Sequence, residues 1–154
     1  MSVTPLSGNQ VDAVQHALPR IVTFFESLKA QDLPMLARIY ARDARFKDPF
    51  NDVRGLVEIE AVFAHMFKTL DLPHFLVRDR MVSGRQIFLS WDFRFRFKGE
   101  PGWQTIHGAT HLLLDDLGLV TEHRDYWDAA EELYEKLPVL GGLMRWLKRR
   151  VMRA

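Results

Sequence analysis

The order of periodicities in this sequence predicts an α+β fold: three N-terminal helices against a cone-shaped, curved antiparallel sheet, with a C-terminal amphipathic helix. Three observations carry that prediction. Apolar residues recur at helical spacing in the first half of the chain, as in Ile21, Phe24, Phe25 and Leu28. Four strand-like runs follow, at roughly 74–82, 86–98, 103–114 and 119–127. The linkers between them, 83–85, 99–102 and 115–118, are too short for crossovers, so these strands are expected as antiparallel neighbours.

In chain order, residues 1 to about 16 are polar and expected to be loosely held. Pro19 suits the first turn of the first helix, where its missing N–H costs nothing. Asp32 reads as the N-cap of a short second helix over 33–40. Residues 43–48 are extended, and Pro49 forces its predecessor out of helical geometry. After Gly55 comes a third helix, with the stripe Leu56, Ile59, Val62, Phe63, Met66, Phe67 and Leu70. Within the second strand, Trp91, Phe93, Phe95 and Phe97 alternate with Asp92, Arg94, Arg96 and Lys98. Alternation puts the four rings on one face and the four charges on the other.

Asp128 with Glu131 resembles an N-cap with a capping box, opening a helix to about residue 137 that Pro138 and Gly141-Gly142 should break. Residues 138–154 form a basic amphipathic extension: Leu140, Leu143, Met144, Leu147 and Val151 among Arg145, Lys148, Arg149, Arg150 and Arg153. Its stripe is expected to dock on its own domain and close the mouth of the cone. The other reading rests it on anionic lipid as a weak membrane-surface contact. No internal repeat or second domain is visible, so residues 1–154 are read as one domain.

Composition narrows the chemistry. A chain of 154 residues, 47% apolar, with 11 Phe and 4 Trp, can bury a real core. A net charge of +1 supplies no field for nucleic acid. The absence of cysteine rules out disulfides, thiolate chemistry and Cys-ligated zinc. The start does not read as a signal peptide and no run is long and apolar enough to span a bilayer, so a cytoplasmic protein is expected. His107 and His111 are four apart, but on a strand that spacing separates them by about 13 Å, so no metal is assigned. No phosphate loop, nucleotide fingerprint or nucleophile elbow is present, and no cofactor is predicted.

The run from Tyr40 to Phe50, Tyr-Ala-Arg-Asp-Ala-Arg-Phe-Lys-Asp-Pro-Phe, is preceded by two helices. A glycine, a helix and strands ending in Tyr126-Trp127 follow it. Over roughly residues 18–128 this pattern resembles the nuclear transport factor 2-like superfamily, in particular its ketosteroid isomerases and SnoaL-like polyketide cyclases. The resemblance implies the cone fold and puts Asp48 where the isomerases carry their general base, in the same Asp-Pro-Phe context. Phe24 and Phe63 stand where those enzymes place a phenolic donor and its supporting tyrosine, and Thr110 where they place an acidic donor. The base is therefore present without its oxyanion donors, and steroid isomerisation does not carry over. Epoxide-hydrolase relatives need an inward arginine and aspartate on one strand, where this chain has aromatic rings. The resemblance further implies a homodimer through an outer sheet face bearing Asp92, Arg94, Arg96, His107, His111, Glu122 and Arg124, the alternative being a solvated face.

Two carboxylates then carry the expected chemistry. Asp48 in an apolar cone would have its charged form disfavoured, which suits a proton shuttle beside a carbonyl. The plainer reading is a turn aspartate that caps backbone N–H groups. By alternation His123, Asp125 and Trp127 share a face, which the resemblance turns into the cone. Polar groups there must pair with each other or with a ligand, unless they lie at a solvated rim. The expected protein is thus a cofactor-independent isomerase, cyclase or dehydratase for a small apolar molecule. Asp48 would act as base, His123 and Asp125 as relay, and Phe24, Phe63, Trp91, Phe93, Phe95, Thr110 and Trp127 as ligand contacts. The alternatives are a non-catalytic binder of an apolar or lipid-like molecule, or a dimeric accessory protein.

Overall fold

The computed structural model describes residues 8–133 and 138–152. Helix α1 (Gly8–Ser27) and a 3-10 helix (Ala30–Arg38) lead into β1 (Tyr40–Lys47) and β2 (Asp52–Arg54). Helix α2 (Leu56–Thr69) precedes β3 (Leu70–Ser83), β4 (Gln86–Phe97), β5 (Trp103–Leu114) and β6 (Val120–Tyr126). Two further helices, α3 (Ala129–Glu132) and α4 (Pro138–Met152), end the chain. The strands form one curved sheet in the order β2-β1-β6-β5-β4-β3. The four strands read from the sequence are antiparallel neighbours, as expected. Strand β1 adds to β6 in parallel, with Phe46 opposite His123, and β2 closes a short hairpin on β1 through the Arg45–Asp52 ion pair at 2.7 Å.

Alternation on the sheet sets its two faces. Ile87, Leu89, Trp91, Phe93 and Phe95 of β4 are buried, as are Ile106, Thr110, Leu112 and Leu114 of β5. Ile21 and Phe25 of α1 and Leu28 just after it, with Ile59 and Phe63 of α2, cover that face. On β6 the parity changes once. Leu113 pairs with Glu122 but Leu114 with Val120, so the strand bulges at Thr121 and both Val120 and His123 are buried despite their odd spacing. On the outer face Asp92 accepts from Arg78 and His107, at 2.5 and 2.6 Å from their nitrogens. Those two hydrogen bonds, Arg78's first, hold its carboxyl below the ordinary range. His111 is stacked on Phe88 and bonded to Gln86, so the two histidines have separate partners.

Several local expectations are corrected. The chain is helical from Gly8, not from Pro19, because Val14 and Ala17 extend the buried stripe of Ile21 and Phe25 toward the N-terminus. Residues 1–7 of the expected loose segment lie outside the described residues. Pro19 sits inside α1 on its exposed side, where the carbonyl it leaves unbonded can meet water. Asp32 lies three residues past the cap position and accepts from the Lys29 backbone N–H at 2.9 Å. Tyr40 opens β1 instead of ending a helix.

Helix α3 is capped by the Asp128 carboxylate, which accepts from Ala130 and Glu131 backbone N–H groups, and it ends at Glu132. Its expected course over 134–137 lies outside the described residues. Pro138 starts α4 instead of breaking a helix, and α4 runs through Gly141-Gly142. A proline in a first turn forfeits no hydrogen bond, and glycine in a helix costs only about 1 kcal/mol. Of the stripe expected to dock, Leu143, Leu147 and Val151 are exposed, as is Trp146, while the side chains of Leu140 and Met144 lie outside those described. No helix among the described residues is long and apolar enough to cross a membrane.

Helix α1 is held at its middle by Arg20, whose guanidinium donates to the carbonyls of Arg38 at 3.0 Å and Gly118 at 2.9 Å. The β5–β6 turn approaches α1 so closely that a Cβ on Gly118 would lie 3.1 Å from the Ala13 carbonyl oxygen, and its φ is +76°. Gly118→Ala should therefore destabilise the protein by about 1–3 kcal/mol, read as a lower urea midpoint at unchanged m-value.

Candidate active site

Where β5, β6 and β1 meet, a line of hydrogen bonds runs from the core to a cavity. The Tyr40 Oη lies 2.7 Å from His123 Nδ1, and His123 Nε2 lies 2.8 Å from Asp125 Oδ1. Thr110 donates to the same Asp125 oxygen at 2.5 Å and accepts from the indole Nε1–H of Trp91 at 2.7 Å. Strand register explains the meeting: Thr110 is directly opposite Asp125, and Trp91 is directly opposite Gly108, the inward residue before Thr110. Any Cβ on Gly108 would overlap the Trp91 ring, so only glycine leaves room for the indole to reach across to Thr110.

Proton positions follow from the partners. A carboxylate can only accept, so His123 donates from Nε2 and its Nδ1 accepts from the Tyr40 hydroxyl. Every donor in the line therefore points toward Asp125. Burial, and next the Asp125 charge, push the Tyr40 phenol well above its ordinary 10.0, so the proton stays on the phenol. Asp125 Oδ1 takes two hydrogen bonds, and no described residue bonds Oδ2.

Asp125 lines two adjoining aromatic spaces, and a more open groove of about 620 Å³ that it shares with Lys47, Asp48, Pro49, Arg124 and Trp127. The outer aromatic space, about 380 Å³, is walled by Phe63, Phe93, Phe95, Phe97, Ile106 and Trp127 among others, with Asp48 and Phe50 also on its boundary. That volume is in the range of small-molecule sites, about 300–1,000 Å³. The inner one, about 30 Å³, lies among Phe25, Val77, Leu89, Leu112, Thr110 and His123. Phe63, Phe75, Trp91 and Asp125 border both. Of the residues expected at the site, Phe63, Trp91, Phe93, Phe95, Thr110, His123, Asp125 and Trp127 are thus brought together here.

Two expected residues are placed differently. Phe24 borders neither space. One residue along α1 is a turn of about 100°, which swings Phe25 inward and leaves Phe24 packed edge-on against it at 5.5 Å. Asp48 lies at the cavity boundary with its carboxylate committed to the turn. Its Oδ1 accepts from the Phe50 and Asn51 backbone N–H groups at 2.8 and 2.6 Å and from Asn51 Nδ2 at 3.0 Å, which also reaches Oδ2. That turn sets Phe50 edge-on to Trp127, 5.5 Å away. Tyr40 was missed as a site residue. The available signal was physical: a phenol buried in a core needs a polar partner, and His123 was the histidine already expected inside.

No group of three or more His, Cys, Asp or Glu that could share a metal ion occurs among the described residues. The fold and the site define a cone of the ketosteroid-isomerase-like type. A family model described as SnoaL-like domain matches residues 21–123, and the chain belongs to that family. No curated protein is similar enough in sequence to count as a match. Among solved structures, one similar fold is a hypothetical protein with a ketosteroid isomerase-like fold from Catenulispora acidiphila DSM 44928, in complex with trimethylamine. It is 17% identical, with 76% of this chain and 88% of that chain covered, at a TM-score of 0.65. A candidate SnoaL-like polyketide cyclase from Jannaschia sp. CCS1 is 19% identical, with 84% and 94% covered and a TM-score of 0.64. An LEH-like epoxide hydrolase from M. tuberculosis is 16% identical, with 94% and 98% covered and a TM-score of 0.63. At these identities the likeness is one of fold.

The line also makes a stability prediction. Tyr40→Phe strands His123 Nδ1 in the core and should cost about 1–3 kcal/mol. The raised phenol adds a pH signature. Below the ordinary value of 10.0 both folded and unfolded states hold the proton and the contribution is whole. As pH rises above that value the unfolded chain ionises first, and stability falls until the folded pKa is passed. Urea titrations at a series of pH values should show this alkaline loss in the native protein, and a smaller loss in Tyr40→Phe.

Proposed function

We propose that this SnoaL-like protein is an acid/base enzyme for a small apolar carbonyl compound, with Asp125 as the group that takes and returns the proton. The observation that supports it is the division of labour within that carboxylate. Oδ1 is fixed by Thr110 and His123, Oδ2 has no bond from a described residue, and the carboxylate borders the aromatic cavity. Oδ2 would remove a proton from the carbon next to the carbonyl, and the electron pair of the broken C–H bond would pass to the carbonyl oxygen as an enolate. Return of the proton to another carbon is an isomerisation; attack of the enolate carbon on a second carbonyl is a cyclisation. The two bonds on Oδ1 orient the carboxylate, and Tyr40 holds His123 in the tautomer that donates to it. The step needs no group beyond these side chains and the substrate.

The apolar rings facing Asp125 favour a substrate that spreads the enolate charge over its own atoms, as a 1,3-dicarbonyl does. Asp48 fits better as the residue that shapes the mouth, since three of its four hydrogen bonds go to one oxygen in the turn. Epoxide hydrolysis by an inward arginine–aspartate pair on β4 is not favoured, because Asp92 is bonded to Arg78 and Arg94 lies over Trp103, both on the outer face. A second reading, a carrier of apolar molecules, is favoured by the preponderance of phenyl and indole groups around the cavity. The outer face carries half-exposed Trp103 and Tyr126 among its charges, which supports pairing of two copies there.

The test is exchange of the activated C–H of cyclic and aryl 1,3-diketones in D2O, followed by NMR, with binding followed by tryptophan quenching. Asp125→Asn should lower the enzyme-dependent rate by about 10²–10⁴ and leave binding within a few-fold. Asp48→Asn should retain exchange in proportion to folded protein while losing about 1–2 kcal/mol of stability. Equal exchange by Asp125→Asn overturns the assignment, and diketones that fill the cavity without exchanging establish the carrier.

A further inference from the structure

The C-terminal helix stands apart from the site in both charge and exposure. Residues 138–154 hold five of the 21 basic residues and none of the 20 acidic ones, so the rest of the chain carries 16 basic against 20 acidic. A chain of net charge +1 is therefore an acidic body with a strongly cationic helix at its end. On that helix Leu143, Trp146, Leu147 and Val151 are 51, 46, 41 and 75% exposed. Their spacing of three, one and four residues gathers them on one side of α4. Arg145 and Arg149, four apart, lie on the other side. Arg150 falls within the apolar side, between Trp146 and Leu143, and lies 5.2 Å from the Trp146 ring centroid, over its face.

From these observations we infer that α4 is an interfacial anchor that lays its apolar side into an anionic lipid surface. Three features fit a bilayer interface better than a protein groove. Large apolar side chains without cover on a basic helix, with no acidic residue in the segment, match a surface that is both greasy and negative. An indole at the boundary of the apolar stripe suits the headgroup level, where an amphipathic ring has one wet edge. An arginine stacked on that indole can keep its alkyl stem along the apolar side while its guanidinium reaches lipid phosphate. The helix is too short and too charged to span a membrane, so it lies on the surface. This inference is independent of the role proposed for Asp125.

The test is co-sedimentation of the full chain with vesicles of phosphatidylcholine alone or mixed with phosphatidylglycerol. Anionic vesicles should bind at least tenfold more tightly than neutral ones at about 0.1 M salt, with binding weakened sharply at 0.5 M. The double variant Arg149→Glu/Arg150→Glu should bind more than about 20-fold less, since each basic residue near such a surface is worth about fivefold. Trp146→Ala/Leu147→Ser should also lose binding, while both variants keep the native urea midpoint and the native diketone exchange. Equal binding to neutral and anionic vesicles, or variants that bind like the native chain, would overturn the anchor. So would a native chain that ignores vesicles and is dimeric by sedimentation velocity while Trp146→Ala/Leu147→Ser is monomeric, because a second copy would then cover the helix.

Discussion

A carboxylate set into an apolar wall is tolerable only when its charge is met on the spot, and the fold around Asp125 is arranged to meet it. Two donors converge on one of its oxygens, each bond to a charged acceptor contributing about 1.5–3 kcal/mol. Those donors have requirements of their own. His123 can donate from Nε2 only if Nδ1 is satisfied elsewhere, which brings a tyrosine into the deepest part of the core at Tyr40, 1% exposed. Thr110 can donate toward Asp125 while its oxygen accepts from Trp91, which in turn requires glycine at 108. One half-buried charge thus accounts for a histidine, a tyrosine, a threonine, a tryptophan and a glycine on four different strands.

The backbone irregularity of β6 belongs to the same constraint. On an unbroken strand Val120 and His123 would face opposite sides, and either the core would lose a valine or the histidine would turn to solvent. The bulge at Thr121 resets the alternation between them, so the N-terminal end of β6 packs as core while its C-terminal end supplies the polar line. The parallel pairing of β1 with β6 then sets Phe46 beside His123, their ring centroids 4.6 Å apart. That ring covers the imidazole and keeps water from competing for its hydrogen bonds.

Much of this was legible in the residues, and the gaps have physical causes. The alternation of Trp91 to Phe97 declared its inner face because period two leaves no freedom in which side a ring occupies. The pairing of His123 with Asp125 followed from the same rule plus the cost of burying polar groups. The choice between Phe24 and Phe25 did not, because two adjacent rings differ by one helical step and the end of the apolar stripe near Pro19 obscured the phase. The helix before residue 17 was hidden by its polar side, with only Val14 and Ala17 marking the buried one. Tyr40 was read as the end of a short helix, since nothing local shows that the chain turns extended there. Its partner lies 83 positions away. For α4, an amphipathic stripe says that one side seeks an apolar surface but leaves open which surface, and Leu143, Trp146, Leu147 and Val151 stand exposed.

Asp48 and Asp125 make the general point about reading chemistry from carboxylates. The first sits in the motif that marks a base in related folds, and its turn surrounds it with N–H groups. Three hydrogen bonds on one oxygen and a side-chain amide on the other hold it to its turn. The second has no motif around it. Its donors all sit on one side, so half of the group is anchored and half is open to the cavity. What suits a carboxylate for exchanging protons with a bound molecule is this asymmetry, an oxygen fixed in place beside an oxygen left over. It arises from cross-strand register and a bulge, features that belong to the sheet as a whole and to no short stretch of sequence.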